Sequence, residues 1–244
     1  VRALLLAAGL GTRLRPLTER IPKCLMPIQS QPLLAYWLEL LLNGGIERAL
    51  VNTHHLPGPV RAFVAGSPWR DRVDLAHEEQ LLGTGGTVSH NRDYFLEQPF
   101  LVAHADNLTD FDVQAMMARH ARRPPGAVIT MMTFETDDPC SCGIVEADDN
   151  GLVVRLHEKV TNPPGTRANG AVYVFEPAVL DYLAALERKV IDLSTEVLPA
   201  FLGRIFTFYN RGYHRDIGTP ESLARAEREF GCGVPRLAVK KGAR

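Results

Sequence analysis

The sequence predicts an α/β protein: a Rossmann-like, three-layer α/β/α arrangement with a mostly parallel mixed sheet and a small antiparallel lobe. Three observations carry this. Short apolar runs alternate with helix-length amphipathic stretches through the first half of the chain, and strand-like runs dominate the second half. Glycine-rich or carboxylate-bearing turns follow several of these strands, at the edge where an open α/β sheet binds ligands. At 244 residues and 45% apolar content the chain can bury a substantial core.

The first predicted strand, Ala3–Ala8, is an apolar run that breaks into the turn Gly9-Leu10-Gly11. Gly9 and Gly11 are both expected to take positive φ, which lets backbone N–H groups converge on an anion. The helix Pro32–Asn43 ends at Asn43-Gly44-Gly45, a C-cap signal. A strand at Ala49–Asn52, a helix at Pro57–Val64, a strand at Val73–Ala76, a strand at Phe100–His104 and a helix at Phe111–His120 continue the alternation. Further strands are expected at Ala127–Phe134, Gly143–Glu146, Leu152–His157, Ala171–Phe175 and Ile205–Phe208, with Asn150-Gly151 as a hairpin turn. Thr219-Pro220 opens the last helix with an N-cap and a proline at its first position. Residues 1–230 read as a single domain, and the tail 231–244, with Arg236, Lys240, Lys241 and Arg244, as poorly ordered.

Composition removes several classes of function. A net charge of −1 supplies no field to draw the protein to nucleic acid or an anionic membrane. Cys24, Cys140, Cys142 and Cys232 are too few and too irregular for a disulfide framework and suit a reducing cytosol. Cys140-Ser141-Cys142 lacks a second pair at zinc spacing. The longest apolar segment, Leu33–Leu42, is well short of the ~20 residues that span a bilayer. A soluble cytoplasmic protein is therefore expected. Trp37 and Trp69 suit either a core or an interface, so a homodimer stays open.

Chemistry concentrates at strand ends. Arg13 and Lys23 add two cations beside the glycine turn, which describes a phosphate site. It is not a P-loop, since Gly-x-x-x-x-Gly-Lys-Ser/Thr is absent. Nor is it the dinucleotide fingerprint, since Leu14 stands where the third glycine belongs. Asp106 ends the strand Phe100–His104 and points toward the same crevice, although such an Asp is also a common turn or cap residue. Asp216, before Gly218-Thr219-Pro220, reads locally as an Asx-turn. His77-Glu78-Glu79-Gln80-Leu81-Leu82-Gly83-Thr84-Gly85-Gly86 is a glycine cluster leading into a helix, which permits close contact with a planar base. Glu78 is either an acceptor for such a base or a solvated surface charge. Glu158-Lys159 reads alone as an exposed ion pair and Asn169 as a turn residue.

Together the run Leu5–Thr18, Pro22-Lys23-Cys24, the glycine cluster and His214–Glu221 resemble the signatures of the sugar-1-phosphate nucleotidylyltransferases, which make NDP-sugars from an NTP and a sugar 1-phosphate. The appearance is closest to the bacterial mannose- and heptose-1-phosphate guanylyltransferases. The resemblance covers residues 2 to about 230. It implies nucleotide contacts from Leu6, Ala7, Ala8, Gly9, Gly11, Thr12, Glu78, Gly83, Thr84 and Asp106, and catalytic roles for Arg13, Lys23 and Asp106. It implies sugar contacts from Asn107, Gly143, Glu158, Lys159 and Asn169, and a Mg²⁺ site on Asp106 and Asp216. Ala105 stands where the family usually has glycine, and Val160 where it has proline.

The implied reaction joins an NTP to a hexose or heptose 1-phosphate by in-line attack on the α-phosphorus, with release of pyrophosphate. Glu78 favours guanine, because a carboxylate only accepts and guanine offers N1–H and N2–H₂ side by side. The alternatives are a UTP- or dTTP-dependent enzyme acting on glucose or amino-sugar phosphates, and a non-catalytic nucleotide-sugar-binding regulator. Asp106 and Asp216 are expected to repel one another in the absence of metal, so that removing either leaves the fold nearly as stable.

Overall fold

A computed structural model describes residues 1–230, so the tail 231–244 lies outside the described residues. In chain order the elements are β1 (Arg2–Leu6), β2 (Pro27–Ile28), β3 (Gln31–Pro32), α1 (Leu33–Asn43), β4 (Arg48–Thr53), α2 (Pro57–Gly66), β5 (Val73–His77), α3 (Gly83–His90), β6 (Phe100–His104) and β7 (Asn107–Thr109). They continue as α4 (Val113–Ala121), β8 (Ile129–Glu135), β9 (Gly143–Ala147), β10 (Val153–Glu158), β11 (Arg167–Phe175), α5 (Pro177–Ala185), α6 (Leu198–Ala200), β12 (Ile205–Tyr209), β13 (His214–Asp216) and α7 (Pro220–Glu229). The α/β class, with a mixed central sheet and flanking helices, is borne out. The described residues form two compact units: Val1–Arg2, Leu81–Ala103 and Ala115–Asn210 make the first, and Ala3–Gln80, His104–Gln114 and the chain from Arg211 make the second.

In the second unit β1 lies beside β4, and β4 pairs in parallel with β5, Ala49 opposite Val73 and Thr53 opposite His77. Ala3, Leu4, Leu5, Ala49 and Val51 are fully buried, which is why these strands read as continuous apolar runs rather than alternating ones. Helix α1 buries Leu33 through Leu38 together with Leu41 and Leu42. Trp37 is a core residue, not an interface one, and its indole Nε1 donates to the carbonyl of Asn107 at 2.8 Å. Helix α7 starts as predicted: Thr219 Oγ1 accepts from Ser222 N, and Ser222 Oγ accepts from Thr219 N. The short strands β7 and β13 have no counterpart in the sequence reading, because three residues are too few to show a period.

In the first unit β11 carries most of the pairing. It runs antiparallel to β6 and to β8 and reaches β9, while β9 and β10 form the antiparallel hairpin. Strand β12 adds to β8 in parallel. The Asn150-Gly151 turn forms as expected, with Gly151 N donating to Asp148 O at 2.9 Å. The antiparallel lobe is not a separate sheet, because β11 is longer than predicted and joins the lobe strand β9 to β6 and β8. A register shift between Asn169 and Tyr173 bends it there, with Ala171 at φ 52°. Asn169 reads alone as a turn residue, yet the backbone pairs on through Ala168 and Arg167.

The Trp37 bond generates a stability prediction. Trp37→Phe keeps a ring in the core but removes the donor to the buried Asn107 carbonyl. It is expected to lower unfolding free energy by roughly 1–3 kcal/mol in urea denaturation, with an unchanged m value. A loss within about 0.5 kcal/mol, the ordinary range for surface changes, would show that the indole bond contributes nothing.

Candidate active site

The second unit brings the two predicted acids together through strand register. β7 and β13 are antiparallel, with Asp216 opposite Asn107 and His214 opposite Thr109. Asp106 is the residue before β7, so the ladder carries Asp216 to its neighbour. Ile217 N then donates to Asp106 O at 3.0 Å, and Ala105 N donates to Leu6 O at 3.0 Å, fixing the Asp106 backbone between two chain segments. Asp216 is thus the last residue of a strand rather than the Asx-turn residue its local sequence suggests.

Lys23 bridges the pair. Its Nζ lies 2.8 Å from Asp106 Oδ2 and 3.5 Å from Asp216 Oδ1, and its side chain is only 8% exposed. Arg13 reaches Asp216 Oδ2 at 3.5 Å from a far more open position, 65% exposed. Burial raises the Asp106 pKa, but the charge of Lys23, aided by His104, outweighs it and holds the carboxyl below the ordinary range. The stability this contributes is present above the unfolded carboxylate pKa and is lost as pH falls through the lowered value. His214 is pushed down to about 3 by burial, against the pull of Asp106 and with Arg215 adding to the depression, so it is neutral at pH 7. Because an ammonium sits against both acids, their mutual repulsion does not govern the site. Removing Asp106 strips a buried cation of its nearer partner, which corrects the expectation of a neutral effect on stability.

Two glycines make this approach possible. Gly11 has φ 61°, and a Cβ on it would lie 2.7 Å from Thr18 Cγ2 and 3.3 Å from Lys23 Cβ. Its carbonyl accepts from Leu14 N at 2.9 Å and from Thr18 Oγ1 at 2.8 Å. Gly9, expected to share the positive φ, does not, since the reversal is made once, at Gly11. Gly218, read in sequence only as part of the run that follows Asp216, is as confined: a Cβ there would sit 2.5 Å from Asp216 Oδ2 and 2.6 Å from Arg13 Nη2.

A buried polar chain lies in the same unit. Ala7 N donates to Asn52 Oδ1 at 2.6 Å, and Asn52 Nδ2 donates to Glu78 Oε1 at 2.8 Å. Asn52 is 3% exposed and Glu78 5%, so Glu78 is not a solvated surface charge. Asn52 was missed in sequence; the polar pair Asn52-Thr53 closing an apolar strand was the available signal. Of the other residues expected around the nucleotide, Gly9 and Thr12 are exposed, Leu6 is half-buried and Ala8 is buried.

The first unit gathers the residues expected to hold the sugar. Gly143 on β9 is opposite Glu158 on β10, and a Cβ on Gly143 would lie 2.6 Å from Glu158 Oε2 and 3.9 Å from Asn169 Cβ. Asn169 Nδ2 donates to Tyr173 Oη at 2.8 Å, and its Oδ1 accepts from Ala171 N at 2.9 Å across the bulge. Lys159 Nζ lies 3.6 Å from Glu158 Oε1, with its own side chain largely exposed. Thr84 Oγ1 donates to Asp192 Oδ2 at 3.3 Å and accepts from Leu193 N at 2.7 Å. Backbone of Ile191 and Lys189 fills the space that side chains on Gly83 and Gly86 would occupy, and the Ile191 side chain fills that on Gly85. The glycine cluster therefore serves close packing within this unit, a use that the sequence did not reveal. Asn107 lies in the second unit, where it is buried on β7.

Two converging carboxylates are hard oxygen donors and suit Mg²⁺, which takes one or two carboxylates and completes its shell with phosphate oxygens and water. Among the described residues no group of three or more His, Cys, Asp or Glu is placed to hold a metal. Asp106 and Asp216 thus fit a Mg²⁺ that arrives with a phosphate ligand rather than a protein-enclosed ion.

Lys23→Met tests the electrostatics directly. With the ammonium gone, the largest lowering influence is lost while burial still raises, and the Asp106 pKa is expected to rise. A ¹³C-detected carboxyl titration of wild type and variant reads this. An Asp106 pKa that stays depressed in the variant would assign the shift to another source.

The family model for nucleotidyl transferases matches residues 2–231. A mannose-1-phosphate guanylyltransferase of Mycobacterium tuberculosis is 31% identical, over 100% of this chain and 68% of that protein. A UTP–glucose-1-phosphate uridylyltransferase of Synechocystis is 30% identical, over 86% of this chain and 57% of that protein. The chain thus spans between 57% and 68% of the length of these relatives. Among solved structures, HddC from Yersinia pseudotuberculosis, complexed with GMP-PN, superposes with a TM-score of 0.79 at 25% identity, covering 94% of this chain and 99% of that one. The matched span takes in every site residue described above, and on these comparisons the chain belongs to the nucleotidyl transferase family.

Proposed function

We propose that the protein transfers a nucleotidyl group from an NTP, preferentially GTP, to a hexose or heptose 1-phosphate, forming an NDP-sugar and pyrophosphate. The carrying observation is the Lys23-bridged pair Asp106 and Asp216 with Arg13 beside it. Such a cluster of fixed cations and metal-fitting carboxylates suits the polyphosphate of an NTP. A sugar phosphate oxygen attacks the α-phosphorus in line, the bond from that phosphorus to the bridging oxygen of the β-phosphate breaks, and pyrophosphate departs. No covalent enzyme intermediate is needed. Cys24, next to Lys23, is buried and its thiol is pushed up to about 12, so it offers no thiolate. Bound Mg²⁺ at Asp106 and Asp216 supplies charge neutralisation to the phosphates. Arg13, exposed at the edge of the cluster, stabilises charge on the departing pyrophosphate, while Lys23, buried between the acids, holds them in place.

Guanine is favoured by the acceptor character of Glu78 and by the guanylyltransferase relatives, against the uridylyltransferase among them. The UTP or dTTP alternative for glucose or amino-sugar phosphates stands as the second reading. A non-catalytic regulator would have no chemical use for Arg13, Lys23, Asp106 and Asp216 together. No helix among the described residues is long and apolar enough to cross a membrane.

The testing experiment is pyrophosphate release from each of four NTPs against a panel of sugar 1-phosphates. Turnover with GTP and a mannose- or heptose-type phosphate is expected, and no turnover with any pair would overturn the assignment. Asp106→Asn and Asp216→Asn, which keep shape, are each expected to lower kcat by roughly 10² or more. Near-normal rates of either at saturating Mg²⁺ would remove the metal site from the reading.

Gly218→Ala separates geometry from stability. The new Cβ collides with the far end of the Arg13 side chain and with Asp216 Oδ2, side-chain atoms that can shift aside. Unfolding stability is expected to change by about 0.5 kcal/mol or less while kcat falls at least about tenfold. A variant with normal kcat would mean that the Arg13–Asp216 contact is irrelevant to turnover.

A further inference from the structure

Asn52 is held in one orientation. Its Oδ1 accepts from Ala7 N at 2.6 Å and its Nδ2 donates to Glu78 Oε1 at 2.8 Å, all within the second unit. Turned over, the amide would set an NH₂ against the Ala7 N–H and a carbonyl against a carboxylate, losing both bonds. The backbone at position 78 is fixed as well, since Glu78 N donates to Thr53 O at 2.8 Å and Glu78 O meets His54 Nδ1 at 2.8 Å. Both side chains are buried, where an unmatched donor or acceptor is costly.

We infer that Asn52 is a specificity-determining positioning residue: its donor claims one end of the side chain at position 78 and so decides the hydrogen-bonding polarity presented to the nucleotide base. This rests on the reading of Glu78 as a base contact. With glutamate at 78, the carboxylate satisfies Asn52 and keeps acceptor character for guanine N1–H and N2–H₂. With glutamine at 78, the same Asn52 donor claims the amide oxygen and turns the NH₂ toward the base. That end opposes guanine and suits a carbonyl of uracil or thymine. A glutamine would otherwise be free to present either end; Asn52 removes that choice. The bond to Ala7 ties this polarity to the backbone leading into the Gly11 turn.

The test is a polarity swap, read as kcat/KM for GTP and for UTP with one sugar 1-phosphate in wild type, E78Q and N52D/E78Q. E78Q is expected to lower the GTP/UTP ratio about tenfold or more. In N52D/E78Q the aspartate still accepts from Ala7 N–H, and its second oxygen accepts from the glutamine NH₂, turning the glutamine carbonyl toward the base. Net charge is that of wild type, so the fold should persist, as thermal unfolding will verify, and the ratio should return toward wild type, chiefly through KM for GTP. If N52D/E78Q does not fold, N52A/E78Q serves: with no donor at 52 the amide can turn, and the ratio should rise above that of E78Q. A depressed ratio in E78Q that neither double variant raises would overturn the role of Asn52 while leaving Glu78 as the base contact. An unchanged ratio in E78Q would overturn the base reading, and the inference with it.

Discussion

The constraint on which the second unit depends is the burial of one ammonium group between two acids. Lys23 has almost no access to solvent, and a buried cation without a partner costs several kcal/mol. Two carboxylates as neighbours would in turn repel and shift one another's protonation. Each half of the arrangement makes the other tolerable. Asp106 is kept ionised by the same charge that holds it in place.

That requirement reaches into backbone geometry. The acids come from positions 106 and 216 and meet only because β7 and β13 pair in a register that sets Asp216 opposite Asn107. The ladder is anchored from behind by Trp37, whose indole holds the Asn107 carbonyl. On the cation side, Gly11 turns the chain sharply enough for Thr18 and Lys23 to pack against it, and Gly218 leaves room for the Arg13 guanidinium against Asp216. A one-residue slip of β13 would carry Asp216 to the opposite face of the ladder and leave Lys23 with one partner.

The first unit solves a different problem: holding neutral and acidic hydrogen-bonding groups at defined positions. Gly143, Glu158 and Asn169 sit on three strands, β9, β10 and β11, and the bulge in β11 turns the Asn169 amide onto Tyr173 and the Ala171 N–H. Burial raises the Tyr173 pKa, with the Asn169 hydrogen bond opposing and Glu158 and Asp192 reinforcing it, so the hydroxyl stays protonated. Groups placed on strands are more precisely held than groups on loops.

The sequence by itself determined the α/β class, the main strands and helices, the Thr219 cap and the Asn150-Gly151 turn, because each is written in local periodicity or turn chemistry. It also brought forward Arg13, Lys23 and Asp106, since cations and acids at a strand end are visible one at a time, and Asp216 through the resemblance of the run around it to a family motif. It could not show that Lys23 bridges the two acids, that Gly218 is confined by Arg13, that Asn52 links Ala7 to Glu78, or that Lys189 and Ile191 explain the glycines from Gly83 to Gly86. Each of those joins positions from 26 to more than 200 residues apart or depends on a strand of three residues. Only the tertiary structure decided them, because contact across such separations is set by sheet register and burial, and neither leaves a period in the chain.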